Sequence, residues 1–183
     1  MQTVRIDRSK EWTVEDYLQL GESATPCQLI NGELIMSPAP SPNHQRVLRK
    51  LFKILDESVT SGELFFAPID LYVDRKNVFQ PDLVYISQQN SHIVTERGIE
   101  GIPDLIIEIV SPSNVFTDRN HKRKVYQEIK VGEYWIVDPA NKTLEIYSHN
   151  QADPDVPTVF LASEGEVTSS VIKNLSFDLK LIF

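Results

Sequence analysis

The sequence predicts a single α/β domain, and three features carry that expectation. Asp104–Val110, DLIIEIV, is apolar on both faces, as a central strand covered by helices would be. Residues 43–57 carry an apolar stripe at helical spacing behind a Ser-Pro start signal, and a second helical segment runs from Thr117 or Asp118 to about Val131. Ile69, Leu71 and Val73 alternate with Asp70, Tyr72 and Asp74, the period of a half-buried strand. A length of 183 residues suffices for one core, and 41% hydrophobic with 24% charged residues is ordinary globular composition. No linker, repeat or low-complexity tract divides the chain.

From the N-terminus, Thr13 caps a short helix with Glu15 and Asp16 in its first turn and Val14, Tyr17 and Leu18 on its apolar side. Gln28–Met36 reads as a hairpin around Asn31-Gly32, the dipeptide that supplies positive φ at both positions of a type I′ turn. Ser41-Pro42 is an N-cap and N1 pair for a helix from about Asn43 to Glu57, whose buried stripe is Val47, Leu48, Leu51, Ile54 and Leu55. After the Ile69–Asp74 strand and a turn at Arg75–Asn77, Val78–Ile86 reads as the next strand, with Pro81 marking an edge, a bulge or a strand start. Ser87–Gly101 reads as a loop with one helical turn. Gly132 is the expected C′ residue of the second long helix. Glu133–Val137 and Thr143–Ser148 are strands flanking the turn Asp138–Lys142, and Thr158–Phe183 alternates enough for two or three more.

Several classes are disfavoured. No run of eighteen apolar residues exists, and MQTVRIDRSKEW lacks the apolar core of a signal peptide, so no membrane association is expected and the cytoplasm is the expected compartment. One cysteine, Cys27, rules out an internal disulfide and a multi-cysteine zinc site, and the four histidines form no i, i+4 pair. A net charge of −8 argues against indiscriminate coating of nucleic acid, yet Arg119, Lys122, Arg123, Lys124 and Lys130 concentrate positive charge in one segment.

The anomaly is Glu108, a carboxylate inside an apolar strand, which costs several kcal/mol unless a cation or donors meet it. A metal ion, the downstream lysines, or both are the candidates. Asp82 shares a face with Val84 and Ile86 on a neighbouring strand, and Lys122 shares a helix face with Asp118 and Tyr126. Two acids and an ammonium suit metal-assisted hydrolysis. Mg²⁺ or Mn²⁺ takes hard carboxylate oxygens and waters, and a cation offsets charge building on a phosphoryl group. The bland reading is two structural carboxylates satisfied by Lys, Arg and backbone N–H, with Lys122 in a solvated pair with Asp118. Tyr134 and Trp135 read as core or dimer contacts, and no basic-aromatic interleaving of a single-strand binder is present.

Asn31-Gly-Glu33, Ser37-Pro38, Ser41-Pro-Asn-His44, Gln80-Pro-Asp82, Pro103–Ser113, Asp118-Arg119, Lys122-Arg123, Tyr126 and Glu133–Pro139 together resemble the Uma-two restriction-endonuclease family. That family is similar to the PD-(D/E)XK nucleases, and the likeness spans roughly Tyr17–Tyr147. It implies a restriction-endonuclease-like core, a mixed β-sheet flanked by helices, with added hairpins at both ends. It also implies Mg²⁺-dependent cleavage of DNA, and homodimers. Pro81-Asp82 matches the PD element and Glu108-Ile-Val110 the (D/E)XK element, with Val110 where the lysine should stand. The resemblance therefore implies Asp82 and Glu108 as metal ligands and Lys122 as the displaced lysine. Glu33, His44, Asp118 and Tyr126 would support them, and Arg119, Arg123 and Lys124 would contact substrate. Use of Lys124 as the catalytic lysine would require a helix turned by about 200°, with Lys122 facing solvent. The alternatives are a binding module that keeps the fold without activity, and a hydrolase of another phosphate ester.

Overall fold

The computed structural model describes residues 10–21, 27–36, 39–111 and 117–183, for 117–119 the backbone alone. The expectations on Ser37-Pro38, on Ser113 and on the side chains of Thr117, Asp118 and Arg119 lie outside the described residues.

The N-terminal part follows its local signals. Helix α1 (Val14–Leu18) opens with a full capping box, Thr13 accepting from the Asp16 N–H and Asp16 reaching back to the Thr13 N–H. Strands β1 (Cys27–Ile30) and β2 (Glu33–Met36) pair antiparallel with Ile30 opposite Glu33. Their two-residue turn has φ of 51° at Asn31 and 79° at Gly32, as a type I′ turn requires. Helix α2 (Pro42–Ser58) starts where Ser41 accepts the His44 N–H at 3.2 Å, and buries Val47, Leu48, Leu51 and Leu55. Strand β3 (Glu63–Phe66) follows, a short strand whose four residues carry no alternation or turn signal of their own.

Strand β4 (Leu71–Asp74) lies where the alternation puts it. The stretch Val78–Ile86, expected as one strand, is two: β5 (Asn77–Phe79) and β6 (Leu83–Ile86), which belong to different sheets. Pro81 has no N–H for a ladder, and the Gln80 N–H goes to the Gln28 side chain at 3.0 Å, so the pairing cannot run through. The expected loop at 87–101 holds a 3₁₀ segment (Gln88–Ile93) and a minimal hairpin, β7 (Val94–Thr95) and β8 (Gly98–Ile99).

Strand β9 (Leu105–Ile109) is buried throughout. The next helix is not one regular α-helix over 118–131. Thr117–Lys122 is a π-helical segment leading into α3 (Arg123–Glu128). Nor does Gly132 end it. Lys130, at φ 64°, takes the left-handed position, with its N–H on the Gln127 carbonyl and the Val131 N–H on the Tyr126 carbonyl, both at 3.0 Å. Gly132 is needed for a different reason: a Cβ there would lie 2.6 Å from the Asp104 carbonyl oxygen, where the chain crosses the start of β9.

Strands β10 (Glu133–Asp138), β11 (Thr143–Ser148), β12 (Val159–Ala162), β13 (Glu166–Thr168) and β14 (Ser176–Asp178) complete the chain. The architecture is mixed α/β with two six-stranded mixed sheets. One runs β12-β11-β10-β9-β6-β3, with β9 and β10 parallel; the other runs β2-β1-β5-β4-β8-β7, with β4 and β8 parallel. Strands β13 and β14 form a separate pair. One face of the first sheet, with Leu83, Leu105, Ile107, Ile109, Trp135 and Val137, packs under α2 and the C-terminal segment. The opposite face, with Val84, Ile106, Tyr134 and Ile136, meets Tyr126 of α3 and Leu71 and Phe79 of the second sheet. Trp135 is therefore core. No helix among the described residues is long and apolar enough to cross a membrane.

Candidate active site

The site forms where β6 and β9 run side by side. Leu83 lies opposite Ile107 and Val84 opposite Ile106, with Asp82 one residue before β6 and Glu108 one residue past Ile107 in β9. Val84 and Ile106, opposed in this register, project to the same side of the sheet, and Glu108 follows Ile106 on that face by the period of two, whereas Asp82 lies just before the first residue of β6.

Each acid has its own set of partners. Asp82 follows the break at Pro81, where β6 no longer offers a carbonyl to β9, and its Oδ2 accepts the Ile109 N–H at 2.7 Å. The same oxygen lies 3.1 Å from His44 Nε2. The Ser41 cap puts His44 in the first turn of α2, which aims the imidazole at the strand end. Among the described residues no donor meets the other oxygen, Oδ1, and the Asp82 side chain keeps 17% of its exposure.

Glu108 is deeper. Its Oε1 accepts Lys122 Nζ at 2.8 Å and the Tyr126 hydroxyl at 3.1 Å, and the side chains of Glu108 and Lys122 are only 4% and 3% exposed. Lys122 ends the π-helical segment and Tyr126 lies in α3, so one face of that helix delivers a cation and a hydroxyl to the strand carboxylate. Lys124 points away and is exposed. Tyr126 is wedged edge-on to Phe79 and tilted against Tyr134, with centroids at 5.3 and 4.9 Å, which holds its ring and hence its hydroxyl in place.

The remaining candidates lie elsewhere. Glu33 is exposed on β2 just past the hairpin turn. Arg123 turns to the loop before β12, donating to the Pro154 carbonyl and to Asp155 Oδ1 at 2.8 Å each, with its guanidinium 5.3 Å from the Tyr147 ring centroid. With Asn31, Asn120, His121, Lys124 and Gln127 it lines a cleft of about 890 Å³ along the helix. A second carboxylate on the same sheet face, Glu145, lies across Ile136 from Glu108 and accepts from the Tyr147 hydroxyl at 2.7 Å. Its sequence signal is the one that marks Glu108, a carboxylate between apolar residues of a strand, here Leu144 and Ile146 of the interior strand β11.

Partners that only the fold supplies include the Ile109 N–H and a polar group behind Asp82. In that group Asp70 accepts from the Tyr17 hydroxyl (3.1 Å), the Tyr72 hydroxyl (3.3 Å) and Gln80 Nε2 (2.8 Å). Burial first, then the negative charge of Asp70, pushes the Tyr72 hydroxyl up to about 12 and raises that of Tyr17 further.

Chemically, the arrangement offers two carboxylates on adjoining strands, a buried ammonium and an oriented imidazole. Among the described residues no cluster of three or more His, Cys, Asp or Glu could hold a metal ion. Two carboxylates with hard oxygens nevertheless fit Mg²⁺ or Mn²⁺, which commonly takes one or two protein ligands and completes its shell with water.

Comparison with known proteins bears on the fold and the family. An uncharacterized protein of Synechocystis sp. is 27% identical over 173 residues, which is 92% of this chain and 98% of that protein. A crystal structure from Anabaena variabilis, described as a putative nuclease, superposes with a TM-score of 0.78 at 20% identity, covering 93% of this chain and 97% of that one; at such identity the likeness speaks for the fold. The model of the Uma2 family, described as "Putative restriction endonuclease", matches residues 14–180, and the chain belongs to that family.

Proposed function

We propose that the protein is a divalent-metal-dependent endonuclease that hydrolyses phosphodiester bonds in DNA. The observation that carries this reading is the buried pair of Lys122 and Glu108, with Nζ 2.8 Å from Oε1, on a strand whose neighbour β6 begins directly after Asp82. Family membership supports a nuclease-like function. In this reading Asp82 and Glu108 hold Mg²⁺ or Mn²⁺. A bound divalent ion supplies polarisation of the phosphoryl oxygen and a more acidic water.

The chain's own residues do the rest. His44 and the Ile109 N–H hold Oδ2 of Asp82 and so fix its carboxylate. Tyr126 fixes Glu108. Lys122 carries a buried positive charge close to where negative charge builds on the phosphoryl oxygens, and in low dielectric that charge counts for more than at the surface. Asp118 and Glu33 act as supporting acids. Arg119, Arg123 and Lys124 meet backbone phosphates, Arg123 exchanging the exposed Asp155 carboxylate for a phosphate. The reading also makes residues 1–183 one nuclease-like domain, working in the cytoplasm as a homodimer.

The test is divalent-dependent nicking of plasmid DNA by the wild type, Asp82→Ala and Glu108→Ala, with Mn²⁺ titration calorimetry on the same proteins. Loss of both nicking and Mn²⁺ binding in each variant is expected. Nicking that survives either substitution, or a wild type that cuts no nucleic acid, defeats the enzyme reading and leaves a binding module built on the same fold.

A further inference from the structure

We propose that Asp70 and Gln80 are positioning residues for Asp82, a clamp by which the second sheet sets the placement of the candidate metal-holding carboxylate in the first. The proposal rests on the reading of Asp82 given above. The chain passes from β5 in one sheet to β6 in the other within Gln80-Pro81-Asp82, so the residue meant to hold an ion sits on a three-residue crossover with no ladder of its own.

That crossover is held at Gln80 from two directions. Its backbone N–H donates to Oε1 of Gln28, a buried side chain of β1, at 3.0 Å. Its side-chain Nε2 donates to Asp70 Oδ1 at 2.8 Å. Asp70 is itself immobilised. Tyr17 from α1 donates to Oδ1 and also to the Cys27 carbonyl, Tyr72 donates to Oδ2, and the Asp70 carbonyl accepts the Ile99 N–H at 2.8 Å. Gly98 approaches that carbonyl so closely that a Cβ would lie 2.4 Å from the oxygen.

Pro81 then transmits the placement, because its ring removes one of the few torsions between Gln80 and Asp82. On the far side Asp82 meets Ile109 and His44, and its carbonyl accepts the Ala67 N–H at 3.1 Å. A carboxylate pinned between two sheets is preorganised in the sense that a binding group must be, within a fraction of an ångström. Groups that orient a ligand residue in this way typically change metal affinity by about 10–100-fold when removed.

The experiment uses Gln80→Leu, Gln80→Glu and the double variant Asp70→Asn/Gln80→Glu. The double variant reverses the donor and the acceptor: an Asn Nδ2 at 70 donates to a Glu Oε at 80, while Tyr72 keeps an acceptor. Two readouts are taken on the full chain, Mn²⁺ affinity by calorimetry and the ring ¹H–¹⁵N shifts of His44, which report where Asp82 lies whether or not metal binds. We expect Gln80→Leu and Gln80→Glu to weaken Mn²⁺ binding by about tenfold and to move the His44 ring signals. The double variant should return both toward wild type. Unchanged His44 signals and Mn²⁺ affinity in Gln80→Leu overturn the proposal. So does a double variant no better than Gln80→Glu alone, a comparison that stands even where Gln80→Leu does not fold. Failure of the metal reading looks different: Asp82→Ala then leaves Mn²⁺ binding intact, while the His44 signals still follow Gln80.

Discussion

Replacing Lys122 by Met takes from Glu108 the ammonium that Oε1 meets at 2.8 Å and leaves the Tyr126 hydroxyl on the same oxygen. Both partners are 3–4% exposed and 2.8 Å apart, so neither salt nor water screens the loss. Breaking a buried pair on one side costs about 3–5 kcal/mol, because the remaining charge stays desolvated. A chain of this length loses about 2–4 °C of melting temperature per kcal/mol, so Lys122→Met should melt lower by about 6–20 °C. Lys122→Met/Glu108→Leu removes both charges and should regain most of that, to within about 1 kcal/mol of the wild type, while remaining inactive. Urea unfolding at neutral pH, followed by tryptophan fluorescence and by circular dichroism, measures all three proteins. Coincident transitions establish that a single free energy is meaningful. Lys122→Met costing less than about 1 kcal/mol, or a double variant no more stable than Lys122→Met, would refute the argument that the pair is buried and mutually dependent.

Three further outcomes follow from the geometry. Lys130→Gly should raise stability by about 0.5–1 kcal/mol, since it relieves a side chain at φ 64°, whereas Gly132→Ala should lower it by forcing a Cβ against the Asp104 carbonyl; thermal melts of both variants check the pair, and the reverse order contradicts the helix end described above. Tyr72 should ionise near pH 12 when followed by ultraviolet absorbance; because its folded pKa is raised, its contribution is intact below about pH 10 and is lost as pH climbs toward 12, and a titration centred near 10 would contradict the Asp70 contact. Cys27 is buried, and burial, followed by the Asp70 charge, raises its thiol, so it should react slowly with a disulfide reagent at pH 8 and at the rate of a free thiol in denaturant; fast reaction of the native protein contradicts its placement in β1.

What could be read from the sequence was what local chemistry controls. Asn31-Gly32 dictates a type I′ turn because few other residues take positive φ twice, and Ser41-Pro42 starts α2 within one residue of the expected position. Glu108 is marked as a charge in an apolar strand, and β9 is that strand, buried throughout. The family's ordered motifs were legible for the same reason, being short and contiguous.

Tertiary structure decided the rest, wherever the deciding partner lies far along the chain. Val78–Ile86 reads as one strand, and it is divided between two sheets because Gln28, 52 residues earlier in sequence, takes the Gln80 N–H. Lys122 and Lys124 are indistinguishable as letters. The π-helical segment and the packing of Tyr126 against Phe79 and Tyr134 turn Lys122 inward and leave Lys124 outside. Arg123, adjacent to both, is drawn to Asp155 across 32 residues. Gly132 looked like a helix terminator and serves instead as the gap through which β10 enters beside β9, a demand set by the neighbouring backbone and by no residue near it in sequence. Periodicity chooses a face, and only packing chooses which side chain on that face meets a partner.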